Sequence, residues 1–259
     1  MIPDETRTIV QVSDCHLFAD AEGELRGIRT RPRLRRVIEE IERRSPDFDL
    51  LVITGDTAHD ETRATYDAVA AELGGRVERL RIVPGNHDER AALLRAFPHA
   101  CALVADRVTF LVEMGVWVLI GLDTQRPGSA SGSLGKEQLA WLQESLHAHP
   151  RAHVALFLHH PPIAVGSPWL EEIGLEDADA LGTLLVSHPQ VSLVFSGHVH
   201  QEAFGSLGRA RVLTTPAVGP QFRPRTEQLE IEIGPPAYRE IELSSDGGWS
   251  STVVRCSVD

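Results

Sequence analysis

Five short apolar runs punctuate the first 200 positions of the chain, at residues 8–13, 50–54, 80–84, 154–158 and 191–196. Each is rich in Val, Ile and Leu and is closed by Gly, Asp, Asn or His, the pattern of buried strands that feed one rim. Between them lie stretches of helical period. Over residues 32–44, Leu34, Val37, Ile38 and Ile41 fall at i, i+3, i+4 and i+7, with Arg and Glu on the other face. Residues 61–73 place Tyr66, Val69, Ala70 and Leu73 on one stripe, with Gly74-Gly75 as the stop. A third helix is predicted after Asp88, ending before Pro98, and others at 136–146 and 177–187.

The first three strand–helix units alternate as an α/β sheet would. After about residue 209 the pattern changes to strands at 211–215, 228–233, 238–243 and 251–254, separated by Gly and Pro turns. Mixed sheets with antiparallel C-terminal strands are therefore expected. With 259 residues and no linker, repeat or low-complexity tract, one domain over 1–259 is the prior.

The formal charge of -12 leaves no broad basic surface for a nucleic-acid backbone, although a small anion held by metals remains compatible. The segment from Met1 to Glu5 lacks a basic leader region, and no stretch approaches the roughly 20 apolar residues of a membrane span. A soluble cytoplasmic protein is expected. Cys15, Cys101 and Cys256 form no C-x-x-C pair, so neither a disulfide framework nor a thiolate zinc site is suggested.

The chemistry sits where the apolar runs stop: Asp14-Cys15-His16, Gly55-Asp56, Gly85-Asn86-His87-Asp88, His159-His160 and Gly197-His198-Val199-His200. Strand alternation would point Asp14 and His16 together, and likewise His198 and His200. Carboxylate and imidazole without thiolate suit manganese, iron or zinc better than calcium or magnesium. Glycines before Asp56, Asn86 and His198 would allow tight turns. Seven candidates, Asp14, His16, Asp56, Asn86, His159, His198 and His200, are what two ions need if one carboxylate bridges them. Two ions roughly 3.5 to 4 Å apart clamp an in-line displacement at phosphorus and lower the pKa of a bound water.

Other polar residues receive structural readings. Asp88 is expected to cap the helix that follows. His59, His99, His147, His149, His153 and His188 lie outside the motifs and read as structural or solvated. Asp123, closing the run 117–122, reads as a hydrogen-bonding residue. The arginines at 29, 31, 33, 35 and 36 read as a mostly solvated helix face.

In order, D-x-H, G-D, G-N-H-D, a later His and G-H-x-H resemble the calcineurin-like metallophosphoesterase superfamily. Within it, residues 11–20, the segment from Leu158 through His159 and His160 to Pro162, and Thr215-Pro216-Ala217 followed by Gln221 and Phe222 resemble the bacterial class III cyclic nucleotide phosphodiesterases. The match covers roughly residues 8 to 245. The resemblance implies a four-layer α/β/β/α sandwich with a dinuclear site between strand ends. Asp14, His16 and His200 would hold a first metal, usually iron. Asn86, His159 and His198 would hold a second, usually manganese, iron or another divalent ion, and Asp56 would bridge.

The implied substrate is a 3′,5′-cyclic nucleotide, cAMP foremost, bound near His16, Asp56, Asn86, His87 and His200 and hydrolysed to the 5′-monophosphate. His87 would contact phosphate and protonate the leaving 3′ oxygen, a role that the ordinary histidine pKa also suits. The family pattern favours His159 over its neighbour, leaving His160 structural. Gln221 and Phe222 are candidates for contact with the base. Other phosphoesterase substrates, namely lipid-linked pyrophosphates, 2′,3′-cyclic nucleotides and glycerophosphodiesters, share the motifs, and a non-catalytic metal-binding scaffold is a further alternative. A homodimer is the default for a soluble oligomer.

Overall fold

A computed structural model describes residues 6–257. The segment from Met1 to Glu5, expected to carry no leader, lies outside the described residues. In chain order, β1 (Arg7–Val12), β2 (Glu24–Leu25) and β3 (Ile28–Arg29) precede α1 (Thr30–Arg44), followed by β4 (Leu50–Thr54), α2 (Arg63–Leu73), β5 (Leu80–Val83) and α3 (Arg90–Ala96). A second series comprises β6 (Ala102–Val104), β7 (Arg107–Met114), β8 (Trp117–Leu122), α4 (Gly135–Ala148), β9 (His153–Leu158), α5 (Pro168–Glu171), α6 (Ala178–Val186) and β10 (Val191–Ser196). The chain closes with β11 (Phe204–Leu207), β12 (Ala210–Thr214), β13 (Gln221–Phe222), β14 (Ile231–Glu232), β15 (Ala237–Leu243) and β16 (Trp249–Arg255).

Two mixed sheets result, ordered β16-β15-β1-β4-β5 and β11-β12-β10-β9-β8-β7-β6. Strands β1, β4 and β5 run parallel, as do β8, β9, β10 and β12. Parallel strands end at the same edge, so the loops after β1, β4 and β5 share one rim and those after β9 and β10 share another.

Because successive strand residues point to opposite faces, each central strand feeds two cores. In β4, Leu50 and Val52 meet Phe157 of β9 and Phe195 of β10 between the sheets. Leu51 and Ile53 instead meet Leu34, Val37 and Ile41 of α1. In β9, Val154, Leu156 and Leu158 turn outward onto Leu142 and Leu146 of α4 and Leu181 and Leu185 of α6. Three apolar layers thus separate four structural ones, the α/β/β/α sandwich that the family resemblance implies. Each fully buried Leu, Ile or Phe contributes roughly 1.5–3 kcal/mol to holding them.

Several expectations shift. Helix α1 starts two residues early at Thr30, whose hydroxyl donates to the His16 carbonyl at 2.9 Å, so a tertiary contact sets the boundary. The strand expected over 228–233 shrinks to β14, because Ile233 is 94% exposed and has no sheet to alternate against. Pairing of β6 with β7 has no counterpart in the apolar pattern, since β6 is largely exposed. No helix among the described residues is long and apolar enough to cross a membrane.

Candidate metal centre

The five motifs meet where the two rims face each other, but not as strand residues. β1 stops at Val12 and β10 at Ser196. Beyond them Asp14, His16, Asp56, His198 and His200 have φ values of 54°, 45°, 49°, 68° and 48°. Strand alternation therefore does not aim these side chains. A left-handed backbone does, a conformation that costs an ordinary residue about 1–3 kcal/mol unless its surroundings over-determine it. Here they do. Asp14 and His16 donate backbone N–H bonds to the carbonyls of Gly55 and Asp56 at 3.1 and 2.8 Å, and Leu17 donates to Thr57 at 3.0 Å. Val218 and Gly219 donate back to the carbonyls of Ser13 and Asp14, and Gly197 donates to that of His159. Glycine is required where these loops touch: a Cβ on Gly85 would collide with the Asp56 carboxylate, and one on Gly197 with Ser13 Oγ.

Asp56 stands at the middle. Its Oδ2 lies 3.4 Å from His16 Nε2 and its Oδ1 3.4 Å from His159 Nε2, so the two oxygens face opposite ends of the cluster. At one end His200 Nε2 is 3.3 Å from Asp14 Oδ1 and 3.2 Å from His16 Nε2. The donor atoms of Asp14, His16, Asp56 and His200 all lie within 4.8 Å of one another. At the other end His159 Nε2 is 3.2 Å from Asn86 Oδ1, and the His198 ring centre is 5.0 Å from that of His159.

Three of the four imidazoles spend one nitrogen on a backbone carbonyl. His159 Nδ1 donates to Thr54 O at 2.8 Å, His198 Nε2 to Ile173 O at 3.1 Å and His200 Nδ1 to Pro220 O at 2.6 Å. Each is left with a lone pair on its remaining nitrogen, the arrangement that metal-binding histidines need. The remaining imidazole nitrogens and the carboxylate oxygens converge on one place. That donor set fits two cations of the manganese, iron or zinc type.

The electrostatics agree. Burial opposes ionisation of Asp56, yet His159, His16 and His87 hold its carboxyl well below the usual range. Burial likewise opposes charge on His159, but Asp56, Asp14 and the Thr54 carbonyl outweigh it and push this imidazole up to about 9, the field of a cation site. Burial takes His16 down to about 3 and His198 well below its ordinary value.

Neighbouring residues sort differently from their sequence readings. Asp88 does not cap α3, because Glu89 does, accepting from Ala91 and Ala92 N–H at 2.9 and 2.6 Å. Buried Asp88 accepts instead from the N–H groups of Thr57, Ala58 and Gly85 and from the Tyr66 hydroxyl, tying the G-D loop to the G-N-H-D loop. His160 uses both nitrogens, on Thr124 Oγ1 at 2.7 Å and Ala130 O at 3.0 Å. Gln221 does not face a nucleotide site: its amide pairs with both backbone groups of Ala217. Arg33 is buried rather than solvated, donating to the carbonyls of Val218, Gly219 and Gly234, so it braces the loop that supports Asp14. Asp123 accepts from Arg90 and from the N–H groups of Val108 and Gln125.

A cavity of about 350 Å³ opens over the cluster. His16, Asp56, Asn86, His87, His198 and His200 form its floor, and Leu25, Trp169, Ile173, Phe222 and Leu229 its wall, with Arg26 and His59 at the edge. Phe222 stacks on His200 at 3.9 Å and 2°, and Trp169 meets Phe222 edge to face at 5.3 Å. Apart from Phe222 the wall has no place in the sequence reading, nor does Arg26, and His59 reads there as structural or solvated. Ser167-Pro168, with Pro at the first helical position of α5, is the one signal that would have marked the Trp169 segment.

Comparisons with known proteins converge on one family. Residues 7–202 match the family model for calcineurin-like phosphoesterase. The chain is 35% identical over 247 residues to the 3′,5′-cyclic adenosine monophosphate phosphodiesterase CpdA of Escherichia coli (strain K12), covering 95% of this chain and 89% of that protein. It is 32% identical over 252 residues to CpdA of Pseudomonas aeruginosa, covering 97% and 91%. Among solved structures, a dimetal phosphatase from Danio rerio superposes with a TM-score of 0.67 at 17% identity, covering 97% of this chain and 99% of that one, a likeness of fold. With both the motif order and the converging strand ends accounted for, the chain belongs to the calcineurin-like phosphoesterase family.

Proposed function

We propose that this protein is a metal-dependent phosphodiesterase that hydrolyses a 3′,5′-cyclic nucleotide, cAMP foremost, to the 5′-monophosphate. One observation carries the reading: the Asp56 carboxylate faces an imidazole with each oxygen, at the floor of a cavity walled by Trp169 and Phe222. Similarity to the CpdA phosphodiesterases supports the choice of substrate.

In this reading Asp14, His16 and His200 would hold one ion and Asn86, His159 and His198 the other, with Asp56 shared between them. Iron is proposed for the first position and manganese or iron for the second, with zinc compatible. When bound, two such ions supply positive charge at the phosphoryl oxygens and activate water. The chain does the rest. His16, Asp56, Asn86, His87 and His200 surround the phosphodiester. His87 donates a hydrogen bond from its backbone N–H to Asp56 Oδ1 at 2.9 Å, and its ring packs against His16 and His59 on the cavity floor. As the P–O3′ bond breaks opposite the entering water oxygen, the His87 imidazole delivers the proton that the departing 3′ oxygen requires. Trp169 and Phe222 offer aromatic surface to the base, for which stacking contributes roughly 1–3 kcal/mol. A cytoplasmic location and a homodimer of single-domain chains complete the proposal.

The test is product analysis with Mn²⁺-loaded protein and an Asp56→Ala control. Substrates are 3′,5′-cAMP, 2′,3′-cAMP and an aryl phosphodiester. Preferential formation of 5′-AMP from 3′,5′-cAMP, lost in the control, is expected. Cleavage of the aryl diester alone would keep a metal-dependent esterase and remove the cyclic nucleotide. Inertness toward all three would leave a scaffold.

A further inference from the structure

His16 is the exception among the clustered imidazoles. The other three donate a ring N–H to a backbone carbonyl, whereas the outward nitrogen of His16 meets another ring: His16 Nδ1 lies 3.2 Å from His59 Nδ1. We propose that His59 is a positioning residue that sets the tautomer and ring orientation of His16, taking for that imidazole the place that Thr54, Ile173 and Pro220 carbonyls take for His159, His198 and His200. The inference rests on the metal-centre reading above and is independent of the substrate.

Two ring nitrogens 3.2 Å apart share a single hydrogen, so one must donate and the other accept. The inward atom of His16, Nε2, faces Asp56 Oδ2 at 3.4 Å. A neutral imidazole that offers its Nε2 lone pair carries its hydrogen on Nδ1. His16 therefore donates, His59 Nδ1 accepts, and the hydrogen of His59 resides on Nε2. Removing that acceptor would leave the Nδ1–H of the buried His16 ring without its protein partner and would free the ring to adopt the other tautomer, which cannot ligate through Nε2.

His59 is itself held firmly enough to perform this task. Its backbone N–H donates to the Leu17 carbonyl at 2.8 Å, and Ala58 and Leu17 form a parallel bridge beside it. Its ring lies between Phe18, at 4.9 Å, and His87, stacked at 4.7 Å and 27°. The donor atoms of His16, His59 and His87 also lie close enough together to suggest a third ion site. Such a site would use the outward nitrogen of His16 and contain no carboxylate, so the geometry favours the positioning role, and stoichiometry separates the two.

The test compares the wild-type chain with His59→Leu, which removes the acceptor, and His59→Gln, whose Oε1 can still accept from His16. Calorimetric titration of chelator-stripped protein with Zn²⁺ should give two ions per wild-type chain. In His59→Leu one of them should weaken by roughly 10- to 100-fold while the other is unchanged, and His59→Gln should recover most of the loss. In ¹⁵N-histidine NMR of the Zn²⁺-loaded wild type, His16 should carry its hydrogen on Nδ1 and His59 on Nε2, a readout that holds even if His59→Leu fails to fold. Wild-type affinity for both ions in His59→Leu, a loss in His59→Gln as deep as in His59→Leu, the opposite tautomer at His16, or a third ion lost on substitution would each overturn the proposal. Fewer than two ions on the wild type would overturn the centre and this inference together, whereas two ions with intact 3′,5′-cAMP would remove only the substrate.

Discussion

The floor and the wall of the cavity are built by opposite means. Floor residues His16, Asp56, His198 and His200 are buried, have left-handed backbone conformations that few residues adopt, and sit in loops locked by hydrogen bonds to main-chain groups. Wall residues Leu25, Trp169, Ile173, Phe222 and Leu229 come from two-residue strands, a single-turn helix and turns, and make mostly ring and van der Waals contacts. A floor of this kind cannot shift by a few tenths of an ångström without breaking several bonds at once, which suits atoms that must meet a reacting phosphorus. A wall of loosely coupled side chains can be exchanged piecemeal, which suits recognition of whatever is attached to the phosphate.

That contrast is sharpest in kinetics. On the floor, His87→Ala should lower kcat by about 10²- to 10⁴-fold with both ions still bound, measured by turnover alongside metal analysis. Near-normal kcat would take His87 out of the chemistry. On the wall, Trp169→Ala should raise KM for 3′,5′-cAMP roughly tenfold with kcat little changed, because stacking acts equally in the ground and transition states. A fall in kcat as deep as that of His87→Ala would erase the distinction.

Beneath the floor, buried Gln11 ties the sheets together. Its Nε2 donates to Thr54 Oγ1 at 2.9 Å and to Ser196 O at 3.3 Å, and its Oε1 accepts from Thr215 Oγ1 at 2.7 Å. Gln11→Leu would orphan these groups at a cost of about 1–3 kcal/mol, read as a lower denaturation midpoint. An unchanged midpoint would mean that the floor does not depend on this link.

The smallest effect is expected far from both regions. The Glu240 carboxylate accepts from Arg44, Ser45 and Tyr238. Burial opposes its ionisation, but these bonds hold it below its ordinary value of 4.5. A depressed carboxylate stabilises the fold above its unfolded pKa and ceases to do so as pH falls through the folded one. Glu240→Gln should therefore cost no more than about 1 kcal/mol at pH 7, given the partly exposed Arg44, and the difference should fade below pH 4.5. It should leave kcat and KM unchanged, a control for the floor and wall variants alike.

Floor and wall also differ in how they can be read from the chain. The floor residues are marked by rare chemistry at fixed offsets: Asp14 and His16 two apart, Asn86 beside His87, His198 and His200 around Val199, each just past an apolar run. These signals are local, so their positions and order, and the alternation of strand and helix that places them on one edge, are properties of the sequence alone. How the side chains are aimed is not. A two-residue offset suggests strand alternation, whereas the observed left-handed backbone at Asp14, His16 and His198 is held by hydrogen bonds between loops far apart in the chain.

Tertiary structure alone decided the rest. Leu25, Trp169 and Leu229 are ordinary apolar residues far apart in the chain, and nothing local separates them from the core. His59 and His160 are both histidines near a motif, yet one meets the back of His16 while the other spends both nitrogens on Thr124 and Ala130. Residue type and spacing specify which groups are available, but a partner 30 to 43 residues away is chosen by the packing of whole layers, and that packing depends on every core residue at once.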